Sequence, residues 1–136
     1  TDRAQGAWGF LKEAGRITLT DFGIESANEY GSIVAVSLDD QPLSSSKRVL
    51  IQSATWDQPF GFKTLNVDGY RRIENLGGFP LNVEEIKARV FVRRPVTSVM
   101  ALDGNGYETE SLIETSATKK ATTFELPKDS LYVLIQ

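Results

Sequence analysis

Beyond Arg16, apolar and polar residues alternate with the period of two that marks half-buried strands. In ITLTDF (17–22), Ile17 and Leu19 stand against Thr18 and Thr20. GSIVAVSLD (31–39) is rich in β-branched residues and runs into Asp39-Asp40-Gln41-Pro42, a turn signal. RVLIQSAT (48–55) follows a Ser-rich loop, and these two runs predict a hairpin. A loop rich in Gly, Asp and aromatics is expected from Trp56 to Gly69, and then a short strand in YRRIENL (70–76), stopped by Gly77-Gly78-Phe79-Pro80. VEEIKARVFVRR (83–94) alternates longest. Ala88, Val90 and Val92 fall on one side, and Lys87, Arg89, Phe91 and Arg93 on the other. Pro95 ends it. TSVMALD (97–103) meets Gly104-Asn105-Gly106, a tight turn that needs positive φ. SLIETSA (111–117), TTFEL (122–126) and LYVLIQ (131–136) complete the series.

About eight short strands, with turn residues between them and no amphipathic helix, predict an all-β fold. The expected architecture is an antiparallel β-sandwich, immunoglobulin-like or jelly-roll-like, over residues 16–136. Residues 1–15 have no strand period and room for one helical turn at most. Trp8, Phe10 and Leu11 make this lead-in too apolar for a free tail. It is expected to dock on the sandwich or on an upstream domain.

A chain of 136 residues is one domain's worth. It has no cysteine and no histidine, so disulfides, thiol nucleophiles and the commonest general base are excluded. The net charge of −3 disfavours a nucleic-acid binder, although residues 61–94 carry seven basic and four acidic groups. No apolar run is long enough for a transmembrane helix. A start at Thr1, without Met or signal peptide, is what a processed product or an excised piece would show.

Four constellations of residues bear on chemistry. Trp56-Asp57-Gln58-Pro59-Phe60 offers rings to stack on sugar faces and polar groups to pair with hydroxyls, with Asn66, Asp68, Tyr70 and Arg71 close behind. The competing reading folds Trp56 and Phe62 inward as a cap on the core. Lys87, Arg89, Phe91 and Arg93 could hold an acidic partner, or form a solvated sheet face. Asp103-Gly104-Asn105-Gly106 begins like a calcium loop, but Glu108 stands where that loop needs Gly, so a hairpin turn is expected. No cofactor is expected, and a structural calcium ion is left open only at the Asp39-Asp40 turn. No paired carboxylates sit in a glycosidase-like motif, and no phosphate loop or nucleophile elbow occurs, so a free-standing enzyme is not expected.

EYGSIVAVSLDDQPLSSSKRVLIQSAT (29–55) resembles a pattern of bacterial glycoside hydrolases: an aromatic, a hydrophobic strand, SLD-x-x-PL, then a charged RVL strand. ENLGGFPLNVEEIKARV (74–90), VTSVMALDGNGYE (96–108) and LPKDSLYVLI (126–135) resemble later stretches of the same proteins, and DRAQGAWGFL (2–11) is similar to the segment that joins their barrel to this module. The resemblance implies a C-terminal immunoglobulin-like accessory domain beside a (β/α)8 catalytic barrel, in a secreted bacterial enzyme acting on plant or algal polysaccharide. Two functions follow from it. One is a carbohydrate-binding module, with Trp56, Phe60 and Tyr70 stacking on sugars and Asp57, Gln58 and Arg71 pairing with hydroxyls. The other is a structural domain that braces the barrel through Trp8, Phe10 and the Trp56 loop. A monomer is expected in both, with no nucleic-acid or membrane partner.

Overall fold

The computed structural model describes residues 1–136 and is almost entirely antiparallel β-structure. In chain order the elements are β1 (Ala4–Gly9), α1 (Leu11–Ala14), β2 (Arg16–Thr18), β3 (Phe22–Ser26), β4 (Gly31–Ser37), β5 (Val49–Thr55), β6 (Asp57–Phe60) and β7 (Lys63–Val67). Then follow β8 (Tyr70–Asn75), β9 (Gly78–Val83), β10 (Ala88–Val92), β11 (Val99–Leu102), β12 (Glu108–Leu112), β13 (Ser116–Ala117), β14 (Thr122–Glu125) and β15 (Tyr132–Ile135). One sheet has the order β1-β4-β5-β15-β11-β12, and the other β13-β14-β10-β3-β2. Two further strand pairs, β6-β9 and β7-β8, belong to neither sheet.

The sandwich follows from the alternation. Ile33, Ala35, Val49, Ile51, Val99, Val133 and Ile135 point inward from the six-stranded sheet. Phe22, Ile24, Ala88, Val90, Val92 and Phe124 meet them from the five-stranded sheet. Each large side chain buried this way contributes about 1.5–3 kcal/mol. Arg94 closes one end of the core, donating from Nη2 to Ser46 O at 2.6 Å and from Nε to Leu43 O at 3.3 Å.

The strand count is fifteen rather than about eight. Two regions account for most of the difference. Residues 4–9 of the lead-in are the edge strand β1, paired along its length with β4 from Ala4–Val36 to Gly9–Gly31. The expected loop at 56–69 is instead one leg of a long hairpin. Its legs pair as β6 with β9 and β7 with β8. Elsewhere the expected ITLTDF strand divides into β2 and β3, and the expected 83–94 strand reduces to the end of β9 at Val83 and to β10 at Ala88–Val92.

Candidate functional site

The long hairpin, here called the ribbon, is fixed to the sandwich at its root. Trp56 O accepts from Glu84 N at 2.9 Å, and Thr55 Oγ1 donates to Glu84 O at 2.5 Å. Asn28, 2% exposed, donates from Nδ2 to Glu85 O at 2.8 Å and accepts at Oδ1 from Lys87 N at 2.7 Å. Ile86 between them is buried in the core.

Beyond that root the ribbon has no core of its own. Every residue of β7, β8 and β9 is exposed. Asp68 and Gly69 turn the chain with φ of 49° and 84°. Both being positive makes this a type I′ turn, whose twist matches the legs. Gly77, at φ 70°, bends the return leg where a Cβ would lie 2.5 Å from Phe60 O. Ten of the eighteen exposed large hydrophobic residues lie between Trp56 and Val83, which is unusual for a stretch that packs on nothing.

The six residues expected to bind sugar are all on or beside this ribbon and are not gathered in one place. Trp56, Asp57, Gln58 and Phe60 are near the root; Tyr70 and Arg71 are at the far turn, roughly 30 Å further along the strands. Trp56, Phe60 and Tyr70 are exposed, so Trp56 does not cap the core. Paired residues share a face and neighbours alternate. Tyr70 therefore lies with Val67 on one face, and Arg71 with Asn66 on the other. Asp57 lies with Val83, opposite the side that holds Gln58 and Asn82. Trp56 lies in the break between β5 and β6, and the register shifts between Pro59 and Phe60, so this alternation does not extend to Trp56 and Phe60.

Residues outside the expected glycan set complete a second grouping. Gly9, Gly31 and Thr55 form one row across β1, β4 and β5. Phe10, Tyr30 and Trp56 are the adjoining residues of these three segments, just beyond the last paired positions. Phe10 and Tyr30 meet edge to face, ring centroids 5.5 Å apart. Trp8, one row back, is 77% exposed, and Trp56 is 62% exposed. This aromatic corner presents roughly 400–600 Å² of ring surface to water. One side of a standard protein interface is about 800 Å².

The two outer faces of the sandwich differ in kind. Across the six-stranded sheet, Ala4, Val36, Leu50, Leu134, Met100 and Leu112 pair strand by strand, and beside them run Gly6, Val34, Gln52 and Tyr132. Neither row carries a charge. Across the five-stranded sheet, Glu125, Arg89, Glu25 and Arg16 alternate in sign along one row. Arg89 Nε donates to Glu125 Oε1 at 2.6 Å, and the Arg16 guanidinium lies 3.8 Å from the Phe91 ring centroid. The basic platform suspected around Phe91 is thus engaged within its own sheet, apart from Lys87 and Arg93.

The acidic turns are closed by backbone donors. Asp103 Oδ1 accepts from Asn105 N at 2.8 Å and Tyr107 N at 2.9 Å. Asp39 accepts from Lys47 N at 2.7 Å, Ser37 Oγ at 2.9 Å and Gln41 N at 3.3 Å. The hydroxyl of Ser46, foremost, and these donors hold the Asp39 carboxyl well below the usual carboxylate range. No group of three or more acidic side chains is placed to hold a metal ion. No helix is long and apolar enough to cross a membrane. A surface depression of about 680 Å³ lies beside the Arg89–Glu125 pair and is lined mainly by polar residues. Neither any known protein family, nor any curated protein, nor any solved structure matches the chain.

Proposed function

We propose that the chain is a non-catalytic β-sandwich module that braces a neighbouring protein domain through its aromatic corner and the root of its ribbon. The observation that carries this reading is the gathering of Trp8, Phe10, Tyr30 and Trp56 at the end of three adjacent strands, all exposed. Such a cluster provides the buried aromatic anchors on which protein interfaces depend. The resemblance to glycoside hydrolase accessory domains supplies the neighbour: a (β/α)8 catalytic barrel of a secreted polysaccharide-degrading enzyme. The reaction then belongs to the barrel, and this module holds it in place.

Glycan binding is the second reading, favoured by the exposed rings of Trp56 and Phe60 at the root with the paired amides of Gln58 and Asn82 between them in the ladder. Two rings with amides between them suit a sugar chain. Affinity electrophoresis in xylan, mannan, β-glucan and agar separates the two. Bracing predicts no retardation of the chain in any gel, and indoles quenched equally with and without oligosaccharide. In a polypeptide that carries the barrel alongside, quenching at Trp8 and Trp56 should fall. Retardation that disappears in Trp56→Ala would replace bracing with glycan capture.

A further inference from the structure

A sheet edge invites a further strand unless charge, proline, shortness or irregularity blocks it. Most edges here are blocked. β12 carries Glu108 and Glu110, and its register against β11 shifts. β2 and β13 are three and two residues long. The ribbon has Pro59, Pro80 and a register shift in each of its strand pairs. β1 is different: Ala4–Gly9 pairs with β4 in unbroken register and holds neither charge nor proline. Ser37 N donates to Arg3 O at 2.9 Å. By the alternation of the ladder, Gln5 and Ala7 then turn their N–H and C=O groups toward β4, and Ala4, Gly6 and Trp8 turn theirs to the open side. Thr1 covers Ala4 there, its Oγ1 accepting from Ala4 N at 3.0 Å and its N donating to Ala4 O at 3.0 Å. The N–H and C=O groups of Gly6 and Trp8 have no partner.

We infer that β1 pairs antiparallel with β1 of a second copy of this chain, about a two-fold axis at Ala7. The free groups select that register. Gly6 and Trp8 of one copy exchange N–H···O=C bonds with Trp8 and Gly6 of the other, every free group is used, and Ala4 keeps Thr1. An axis at Gly6 would require Ala4 to give up Thr1. An axis at Trp8 would set Gly6 against Phe10, which lies outside the strand. The side chains agree. On the outer face the exposed Trp8 ring lies across from Gly6 of the second copy, the arrangement in which an aromatic ring covers an edge glycine. Gly6 leaves that floor bare, since a Cβ there would lie 2.6 Å from Ile33 O. On the inner face Ala7 meets Ala7 and Gln5 meets Gly9, so neither bulk nor like charge opposes the pairing. The two six-stranded sheets then join edge to edge, and the closed two-fold pair leaves β1 no further open side. Two short edges and two rings make a small interface, so the chain is a monomer in dilute solution and pairs as its concentration rises. This departs from the monomer expected of the sequence. It takes Trp8 from the aromatic corner and leaves Tyr30 and Trp56 to a neighbouring domain.

Sedimentation equilibrium from micromolar to millimolar concentration tests the pairing, and a single thiol tests the register. The unaltered chain should dimerise in the upper part of the range. Trp8→Pro withdraws a donor from each copy without touching the β4 ladder and should weaken association at least about tenfold. The chain has no cysteine of its own. Ala7→Cys places two thiols across the axis on α-carbons about 4.5 Å apart, within reach of a disulfide. In Ala4→Cys the two sites lie about 20 Å apart in the pair. With oxidised glutathione, Ala7→Cys should therefore cross-link at least about tenfold faster than Ala4→Cys. Circular dichroism of each variant checks that the sandwich is intact. A monomer throughout the range, a dimer that Trp8→Pro does not weaken, or equal cross-linking at the two positions overturns the inference. Trp56→Ala should leave the dimer unchanged, which separates this result from the bracing test.

Discussion

The buried amide of Asn28 accepts a hydrogen bond from the backbone of Lys87 at 2.7 Å, tying the loop before β4 to the segment that returns from the ribbon. The same side chain donates to Glu85 O at 2.8 Å. Asn28→Ala would leave a backbone donor and an acceptor without partners. It is expected to cost about 2–3 kcal/mol, read from urea denaturation. An unchanged midpoint would show that water replaces the amide at no cost.

Asp39 gives the chain an acid-sensitive loop. Its carboxyl ionises below the usual value of 3.8 in the folded chain, because hydroxyl and backbone donors favour the charged form. A depressed folded value adds stability above the unfolded value, and that contribution is lost as pH falls from about 4 toward the folded value. Melting temperatures taken through this range should fall more steeply for the unaltered chain than for Asp39→Asn. Equal slopes would remove Asp39 as a source.

Gly77→Ala should unsettle the ribbon and spare the sandwich. The new methyl group would meet Phe60 O at 2.5 Å and Phe62 N at 2.8 Å, at a φ that side chains rarely adopt. Hydrogen exchange is expected to quicken across residues 57–83, with protection in β4, β5 and β10 retained. Loss of protection in both regions would mean that the ribbon and sandwich unfold as one unit.

Replacing Trp8 and Trp56 together by alanine should change the stability of the isolated chain by no more than about 0.5 kcal/mol each, because neither ring is packed in the core. Thermal unfolding measures this. A large loss would show that the corner serves the sandwich itself rather than a neighbour.

The sandwich was legible where one face of a strand is buried. Ala88, Val90 and Val92 lie in the core and Arg89 outside it, as their spacing predicts. The ribbon was not legible in this way. The Gly, Asp and aromatic content of residues 56–69 reads as loop, and with no core on either side Lys63-Thr-Leu-Asn-Val67 alternates through only two apolar residues. Asp68-Gly69 between two short alternating runs was the signal available for it. The residues alone left open whether Trp56 faces water or folds onto the core; Trp56, Phe60 and Tyr70 are all exposed because the ribbon extends away from the sandwich. Their separation depended on the hairpin register, which the spacing of residues did not reveal. Phe10 and Tyr30 come together only because β1 pairs with the non-consecutive strand β4.

The ribbon's attachment at a single root frees its length from the folding of the sandwich. Adding two residues to each leg would extend its reach by about 7 Å and keep every outward side chain on its side. Adding one to each leg would turn the far half over. Natural variation at this hairpin should therefore come in steps of two per leg, altering how far the module stretches while its body stays the same.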